Sequence, residues 1–299
     1  MRTARPRSAR FFATAAAGVL ALAGGLLGGA GYGLLHGATL AVLSAAAALA
    51  VDRLLARRWK QRTRLLERPF PEAWRRFLAD QCDHYDRLPA ELRRRFESDL
   101  SIFVHETRIT GIEMRVEERH RLLVAASAVT LSVGWPDYEW DQLAEVLLYP
   151  HDFDRDYAFG QADLAGQAHP WGTIILSAPA LEASFADPDD GFHVGVHEFG
   201  HLLDVDRTHF DGIPVGLDEP RSRQWLALME HEMQLMRSGQ SALDPYGADD
   251  PVEFLAVSLE AFFELPLLLR RRHGEIYGIL AAYLGQDPAA WDDRRGLRL

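Results

Sequence analysis

The sequence predicts an α+β fold that is mostly helical with a small sheet, preceded by an N-terminal transmembrane helical hairpin. Three observations support this prediction. Residues 11–51 contain no Asp, Glu, Lys or Arg. Much of the remaining chain repeats apolar residues every three or four positions, which is the period of an amphipathic helix. Only short runs, such as 173–177, carry the β-branched residues that are typical of a strand.

The uncharged N-terminal stretch is long enough for two membrane spans. One helix needs about 20 apolar residues to cross a bilayer, and the glycines within 28–33 allow a turn. We therefore predict spans at about 11–29 and 34–51. Basic residues flank the pair on both sides, which places both ends in the cytoplasm. The alternative is a secretory signal that exports the rest of the chain.

The predicted domains are the hairpin with its basic linker, 1–66, and a globular domain, 67–299. In the globular domain, apolar spacing predicts helices within 66–103 and at about 117–133. The apolar run 147–149 ends at a proline and is predicted to be a strand.

The C-terminal half alternates between predicted loops and helices. Residues 150–170 are rich in Asp, Gly and His and predict a loop, which is followed by a strand at 171–177. A helix is predicted to begin after 187–190. Two further helices are predicted at 222–237 and from Asp250 to just before Pro266.

The net charge of −11 is divided unevenly along the chain. Residues 1–66 contain ten Lys or Arg and one acidic residue, Asp52, whereas the remainder contains 22 basic and 42 acidic residues. An acidic body repels phosphate backbones, so we expect no direct nucleic-acid binding. The single cysteine, Cys82, excludes an intrachain disulfide and a cysteine-rich metal site.

A His-Glu-x-x-His run at 197–201 carries the strongest chemical signal. On a helix, His197 and His201 stand one turn apart on the same face, so both imidazoles can reach one metal ion. Glu198 lies beside them, where it can accept a proton from water activated by the metal. The pattern predicts a zinc site that needs a third ligand.

The helix that begins at Asp250 is predicted to supply the third ligand. Asp250 is a favourable N-cap, and a glutamate, Glu253, stands at the third helical position. Glu260 lies in the middle of this helix among large apolar residues, where a carboxylate is costly to bury unless a cation compensates it. We therefore predict Zn²⁺ held by His197, His201 and Glu260.

Four neighbouring residues have a structural and a functional interpretation. Glu253 either completes the helix cap or supports a metal ligand through a hydrogen bond. Asp204, one turn after His201, either orients that histidine or forms a local cap. His193 is predicted to begin the helix and pack there. Tyr246 is a candidate donor to the oxyanion of a reaction intermediate.

The chain resembles the Mlc titration factor A family of zinc-dependent peptidases. Weaker similarity extends the resemblance over about 69–291. The stretches that carry it are 196–204, 212–214, 246–263 and 277–288.

This resemblance implies a gluzincin-like zincin fold related to the catalytic domain of anthrax lethal factor. It implies that His197, His201 and Glu260 are the zinc ligands and that Glu198 is the general base. It also implies an aminopeptidase-type activity and binding of the glucose repressor Mlc. The N-terminal membrane segment departs from the family's usual pattern.

The main hypothesis is a membrane-tethered zinc metallopeptidase at the bacterial inner membrane, with its catalytic domain in the cytoplasm and peptides or proteins as substrates. We expect the strand at 171–177 to form the edge of the cleft, where a peptide can add as an extra strand. The alternative is a peptidase-fold regulatory protein that binds a transcriptional repressor or another partner at the membrane. A purely structural zinc is disfavoured because no residue is spaced to supply a fourth ligand.

Overall fold

The computed structural model describes residues 33–136, 138–154, 164–204 and 209–291. The chain divides into two compact units, Met1–Pro69 and Phe70–Leu299. Most of the described second unit is helical, with one small mixed sheet, which confirms the mostly helical α+β class predicted from the sequence.

In the first unit, helix α1 covers Gly33–Leu66 and includes the predicted second span at 34–51. The predicted first span at 11–29 lies outside the described residues. Within the described ranges, no helix combines the length and the hydropathy that crossing a bilayer requires. The hairpin stays a prediction.

The second unit begins with helices in the two regions where apolar spacing predicts them. Two residues with extended backbone, Cys82 and Pro89, separate the first three of these helices. The fourth helix is buried along nearly its whole length. These helices are α2 (Glu72–Gln81), α3 (Asp83–Arg87), α4 (Ala90–Glu106) and α5 (Glu118–Ser132).

Four strands form one sheet in the order β1-β2-β4-β3. They are β1 (Ile109–Gly111), β2 (Glu145–Tyr149), β3 (Gly166–Ala168) and β4 (Thr173–Ser177). β1 and β4 both pair with β2 in parallel, whereas β3 pairs with β4 in the antiparallel direction.

The sequence predicts β2 and β4 but not β1 or β3. The two missed strands have only three residues each, too few to show an alternating pattern, and β3 (Gly-Gln-Ala) also lacks residues with a strong preference for strands. β3 falls in the region predicted to be a loop. β4 is an interior strand, so the expectation that 171–177 forms the edge is wrong, and β3 forms that edge instead.

The remaining helices follow the sheet. Side chains of Ser177, His193, Asp218 and Asp250 accept hydrogen bonds from first-turn N–H groups and fix where four of these helices begin. The elements are α6 (Ala178–Ala186), α7 (Val194–His201), α8 (Glu219–Arg237), a 3₁₀ turn (Pro245–Ala248), α9 (Pro251–Glu264), α10 (Pro266–Arg272), α11 (Gly274–Leu284) and α12 (Pro288–Trp291).

Helix α7 packs tightly between α5 and α9 because it presents a glycine to each neighbour. A Cβ atom on Gly195 would lie 2.1 Å from Oγ of Ser127 in α5, and one on Gly200 would lie 2.8 Å from Cδ1 of Leu259 in α9. Both distances are shorter than a non-bonded contact allows. The two glycines therefore permit the close approach of the three helices that position the site described next.

Candidate metal centre

Helix α7 places His197 and His201 side by side, as the sequence predicts. Their ring centroids are 4.9 Å apart and the rings are nearly perpendicular. Both side chains are buried, and Nδ1 of His201 has no hydrogen-bond partner among the described residues. His193 is the N-cap of α7, where its Nδ1 accepts a hydrogen bond from the N–H of Val196. This confirms the expectation that His193 begins the helix.

Helix α9 brings Glu253 to the two histidines. Asp250 caps the helix by accepting from the N–H groups of Val252 and Glu253. The Glu253 carboxylate does not complete a capping box; its Oε2 lies 2.9 Å from Nε2 of His197 and 3.9 Å from Nε2 of His201. Oε2 of Glu253 and the Nε2 atoms of both histidines therefore lie close enough to bind one ion between them.

Glu260 lies on the opposite side of the His197 ring. Its Oε2 is 3.1 Å from Nδ1 of His197, and its Oε1 accepts a hydrogen bond of 2.8 Å from the backbone N–H of His193. Only 2% of Glu260 is exposed, so the burial predicted from its apolar neighbours is observed. Its two polar partners, however, are Nδ1 of His197 and the backbone N–H of His193 at the start of α7.

The donor atoms of His197, His201 and Glu253 lie within 4.8 Å of one another. In the described part of the chain, these three residues form the cluster whose atoms could hold a metal ion. Two imidazole nitrogens and one carboxylate oxygen are the protein ligands of many catalytic metal sites. The residues present therefore fit a metal ion.

In this geometry Glu253, rather than Glu260, lies near the ring nitrogens of both His197 and His201, and the assignment of Glu260 as the third ligand stays a prediction. An imidazole presents Nδ1 and Nε2 on different edges of its ring. Since Glu260 occupies the Nδ1 edge of His197, the Nε2 edge remains for the point shared with His201 and Glu253. Glu260 contacts the Nδ1 edge of His197, which is where a carboxylate that supports a ligand histidine lies in metal sites.

The charges of the two glutamates act strongly on the histidine between them. Burial lowers the pKa of His197, but the carboxylates of Glu260 and Glu253 outweigh burial and hold that pKa well above its usual value. Burial lowers the pKa of His201 to about 3, which keeps this imidazole neutral. The carboxylates of Glu253 and Glu260 thus make the site favourable for positive charge, and a metal cation would supply it.

Glu198 is buried between α7 and the edge strand β3. Burial raises the pKa of its carboxyl group to about 8, and its Oε2 has no hydrogen-bond partner among the described residues. The backbone N–H of Ala168 in β3 donates to the Glu198 carboxylate. A Cβ on Gly166 would lie 2.5 Å from Oε1 of Glu198, so only glycine fits there. This contact could not be predicted from the sequence, because β3 itself was not predicted.

Tyr246 lies at the same site, in the 3₁₀ turn before α9. Its ring centroid is 6.0 Å from that of His197, and its hydroxyl bonds the Glu253 carboxylate. Partial burial and the charge of Glu253 raise the pKa of the phenol, so the hydroxyl keeps its proton. With 47% of the residue exposed, Tyr246 can present that proton to a bound molecule.

Asp204 anchors the loop that follows α7. Its two carboxylate oxygens accept from the N–H groups of Asp211 and Gly212 at 2.8 and 2.7 Å. Gly212 has a φ of 78° and touches α9, since a Cβ on it would lie 2.2 Å from the carbonyl oxygen of Pro251. The backbone N–H of Asp204 donates to the carbonyl oxygen of His201 at 3.1 Å, but its side-chain hydrogen bonds in the described residues go to Asp211 and Gly212 and not to the His201 ring. Asp204 instead connects the end of α7 to the start of α9.

Comparison with known proteins adds a family match. Residues 56–284 match the family described as glucose-regulated metallo-peptidase M90. An uncharacterized protein of Synechocystis sp. (strain ATCC 27184 / PCC 6803 / Kazusa) is 27% identical over 246 residues, which cover 77% of this chain and 89% of that protein.

Two further relatives carry the name Mlc titration factor A. The protein of Edwardsiella ictaluri (strain 93-146) is 28% identical over 222 residues, covering 69% of this chain and 82% of the relative. The protein of Yersinia enterocolitica serotype O:8 / biotype 1B is 29% identical over 224 residues, covering 68% of this chain and 82% of the relative. Each of the three matches covers more than two thirds of this chain and more than four fifths of the relative.

Proposed function

The chain belongs to the glucose-regulated metallo-peptidase M90 family, and on this basis we propose that it is a zincin-like, zinc-dependent metallopeptidase that hydrolyses peptide bonds. The observation that carries the proposal is the convergence of His197, His201 and Glu253 on one point, with Glu198 beside them. The family match covers the helices that supply all four residues.

We propose that His197, His201 and Glu253 hold the ion. Bound zinc would polarise the scissile carbonyl and increase the acidity of water. Glu260 holds the His197 ring so that Nε2 stays directed to the site. The tight packing of α7 against α5 and α9 fixes the relative positions of the ligands before any ion binds.

Glu198 is the proposed general base. Its buried carboxyl group has an oxygen without a protein partner and a pKa raised to about 8, both of which suit proton exchange near neutral pH. Glu198 accepts a proton from the attacking water and donates it to the leaving amine. Tyr246 is the proposed donor to the carbonyl oxygen as negative charge develops there.

The edge strand β3 is the proposed binding surface for the substrate backbone. β3 pairs with β4 on one side only, among the described strands, and it lies directly against Glu198. An extended peptide can add to such an edge through main-chain hydrogen bonds, largely independent of its side chains. The resemblance to the Mlc titration factor A family favours aminopeptidase-type substrates among peptides.

We also propose that the N-terminal segment tethers the enzyme to the bacterial inner membrane, with the globular region in the cytoplasm. The uncharged stretch 11–51 and its basic flanks support this proposal. A reporter that is active only after export, fused at residue 70, distinguishes this arrangement from export by a signal peptide.

A second candidate function is regulation through binding. Several relatives are named Mlc titration factor A, and we propose that a Mlc-like repressor is a partner of this chain. The acidic body suits a basic surface on such a partner. The binding role predicts that an inactive variant still retains the cellular phenotype.

The substitution Glu198→Gln tests the proposed enzyme. The amide keeps the shape of the side chain but cannot accept a proton, so we expect an unchanged metal content and hydrolysis reduced by about 10²–10⁴-fold. Purified full-length protein is analysed for zinc and assayed with amino-acid p-nitroanilides and a peptide library. Full activity of the variant, or no zinc in the active protein, contradicts the proposed mechanism.

A further inference from the structure

A pocket separate from the candidate metal centre lies between α8, the loop at 239–242 and the start of α11. Its volume is about 480 Å³, which is in the range of sites for small molecules. The four proposed catalytic and metal-binding residues do not line it, so it is a separate feature of the fold.

Two buried side chains in the wall of this pocket form a pair. Nδ1 of His273 lies 3.0 Å from Oε2 of Glu232, and the side chains are only 8% and 7% exposed. The remaining polar atoms of the pair, Nε2 of His273 and Oε1 of Glu232, are buried without a partner among the described residues. A buried polar atom without a partner is destabilising, and more so when the group is charged. Both residues line the pocket, so a molecule bound there lies beside this pair.

The pocket also contains the N-terminal end of a helix. Helix α11 has 11 residues, and no side chain caps its first turn. Its first residues, Gly274 to Ile276, line the pocket together with Arg272. Free first-turn N–H groups and the helix dipole favour an anionic group, and the guanidinium of Arg272 adds positive charge. This end of the pocket therefore suits a carboxylate.

The pocket thus presents groups of both signs within a small space. The unpartnered oxygen of Glu232 requires a hydrogen-bond donor, and an ammonium group suits it best. The carboxylate of Glu275, also in the wall, is held by the side-chain amide of Gln224 at 3.1 Å. Leu228, Leu235 and Ile276 supply an apolar portion of the wall.

We propose that this pocket binds a free α-amino acid with an aliphatic side chain. The α-carboxylate binds at the N-terminus of α11 beside Arg272, and the α-ammonium bonds Oε1 of Glu232. Nε2 of His273 faces the same carboxylate, while Oε2 of Glu232 holds its Nδ1. The aliphatic side chain packs on Leu228 and Leu235. The binding does not depend on the proposed peptidase activity.

The proposal is tested by titrating L-leucine into the full-length protein and measuring heat. The titration is repeated after metal removal with EDTA, because an amino acid can also chelate zinc. We expect saturable binding to one site that persists without metal. N-acetyl-leucine and leucinamide each lack one of the two charges, so each should bind at least about tenfold more weakly. A tenfold loss corresponds to about 1.4 kcal/mol.

Matched substitutions locate the binding. Glu232→Gln should weaken leucine binding about tenfold, whereas Glu230→Gln, on the exposed side of the same helix, should leave it unchanged. If Glu232→Gln does not fold by circular dichroism, the exposed Arg272→Gln replaces it and should reduce the preference for leucine over leucinamide.

Three results overturn the proposal. The first is the absence of saturable leucine binding without metal. The second is an affinity for N-acetyl-leucine or orthophosphate equal to the affinity for leucine. This result would indicate a site for anions only. The third is unchanged leucine affinity in the folded Glu232 or Arg272 variant.

Discussion

Oε2 of Glu260 lies 3.1 Å from Nδ1 of His197, on the edge of the imidazole that faces away from Glu253. One histidine thus joins two carboxylates that come from successive parts of the same helix. This arrangement supports the proposed division of roles, in which Glu253 is a metal ligand and Glu260 holds the His197 ring in place. The two residues should therefore differ in what their removal does.

Substitution of Glu253 should remove the metal, whereas substitution of Glu260 should only weaken its binding. Glu253→Ala deletes one of three ligands, so we expect no zinc to remain after dialysis. Glu260→Gln deletes a supporting charge, and losses of this kind are typically about 10–100-fold in affinity. Competition with a chromophoric chelator measures both. Zinc retained in Glu253→Ala but absent in Glu260→Gln would restore the assignment made from the sequence.

Gly166→Ala should reduce activity without removing the metal. The added Cβ would lie 2.5 Å from Oε1 of Glu198, so the base or the strand must move. A displacement of about 1 Å at a reacting group can cost about 10²-fold in rate. Gly278→Ala is the matched control, because a Cβ there meets nothing within 4 Å. If kcat/KM is equal in the two variants, the contact between β3 and Glu198 does not contribute to catalysis.

Tyr246→Phe should reduce kcat more than it changes KM. The hydroxyl is proposed to act on the charge that develops during the reaction, and removal of one such donor costs about 10²–10³-fold in kcat. Assays at saturating zinc exclude an indirect effect through Glu253, which Tyr246 contacts. Tyr277→Phe serves as the control, since its hydroxyl bonds Asp287 outside the site. A raised KM with an unchanged kcat would indicate a binding role instead.

Glu264 should make the fold less stable as pH rises. Burial, together with nearby Asp190, raises the pKa of the Glu264 carboxyl from 4.5 to about 9. The folded chain therefore holds a proton that the unfolded chain releases, and the resulting stability is complete below about pH 4.5 and declines as pH rises towards 9.

Urea unfolding at pH 6, 7 and 8 measures this effect. Glu264→Gln has no proton to lose, so its free energy of unfolding should fall less steeply with pH, by up to about 1.4 kcal/mol per pH unit. The exposed Glu219→Gln controls for the change in net charge. Parallel pH profiles for the wild type and Glu264→Gln would contradict the buried neutral form.

The sequence predicted the parts of the site that depend on local geometry. His197 and His201 lie on one face of their helix wherever that helix packs in the fold. Asp250 caps α9 through contacts within one helical turn. The choice between Glu253 and Glu260 depends instead on how α9 crosses α7. Both lie on one face of α9, two turns apart, so periodicity alone cannot distinguish them.

The contact of β3 with Glu198 could not be predicted either. The strand Gly166–Ala168 contains two small residues and one glutamine, and it forms because β4 offers a free edge. Such a strand depends on tertiary pairing rather than on its own propensity. Gly166 is needed for space rather than for a turn, and that requirement is visible only when the neighbouring carboxylate is known.

The two glycines of α7 have a kinetic consequence. Because Gly195 and Gly200 seat this helix directly on Ser127 and Leu259, the histidines cannot rotate about the helix axis without a collision. The positions of the proposed ligands on α7 are thus set by helix packing. Capture of zinc should then be limited by how fast the ion sheds its water molecules, and not by a rearrangement of the chain. Substituting either glycine should convert a fast, single-step uptake into a slow one.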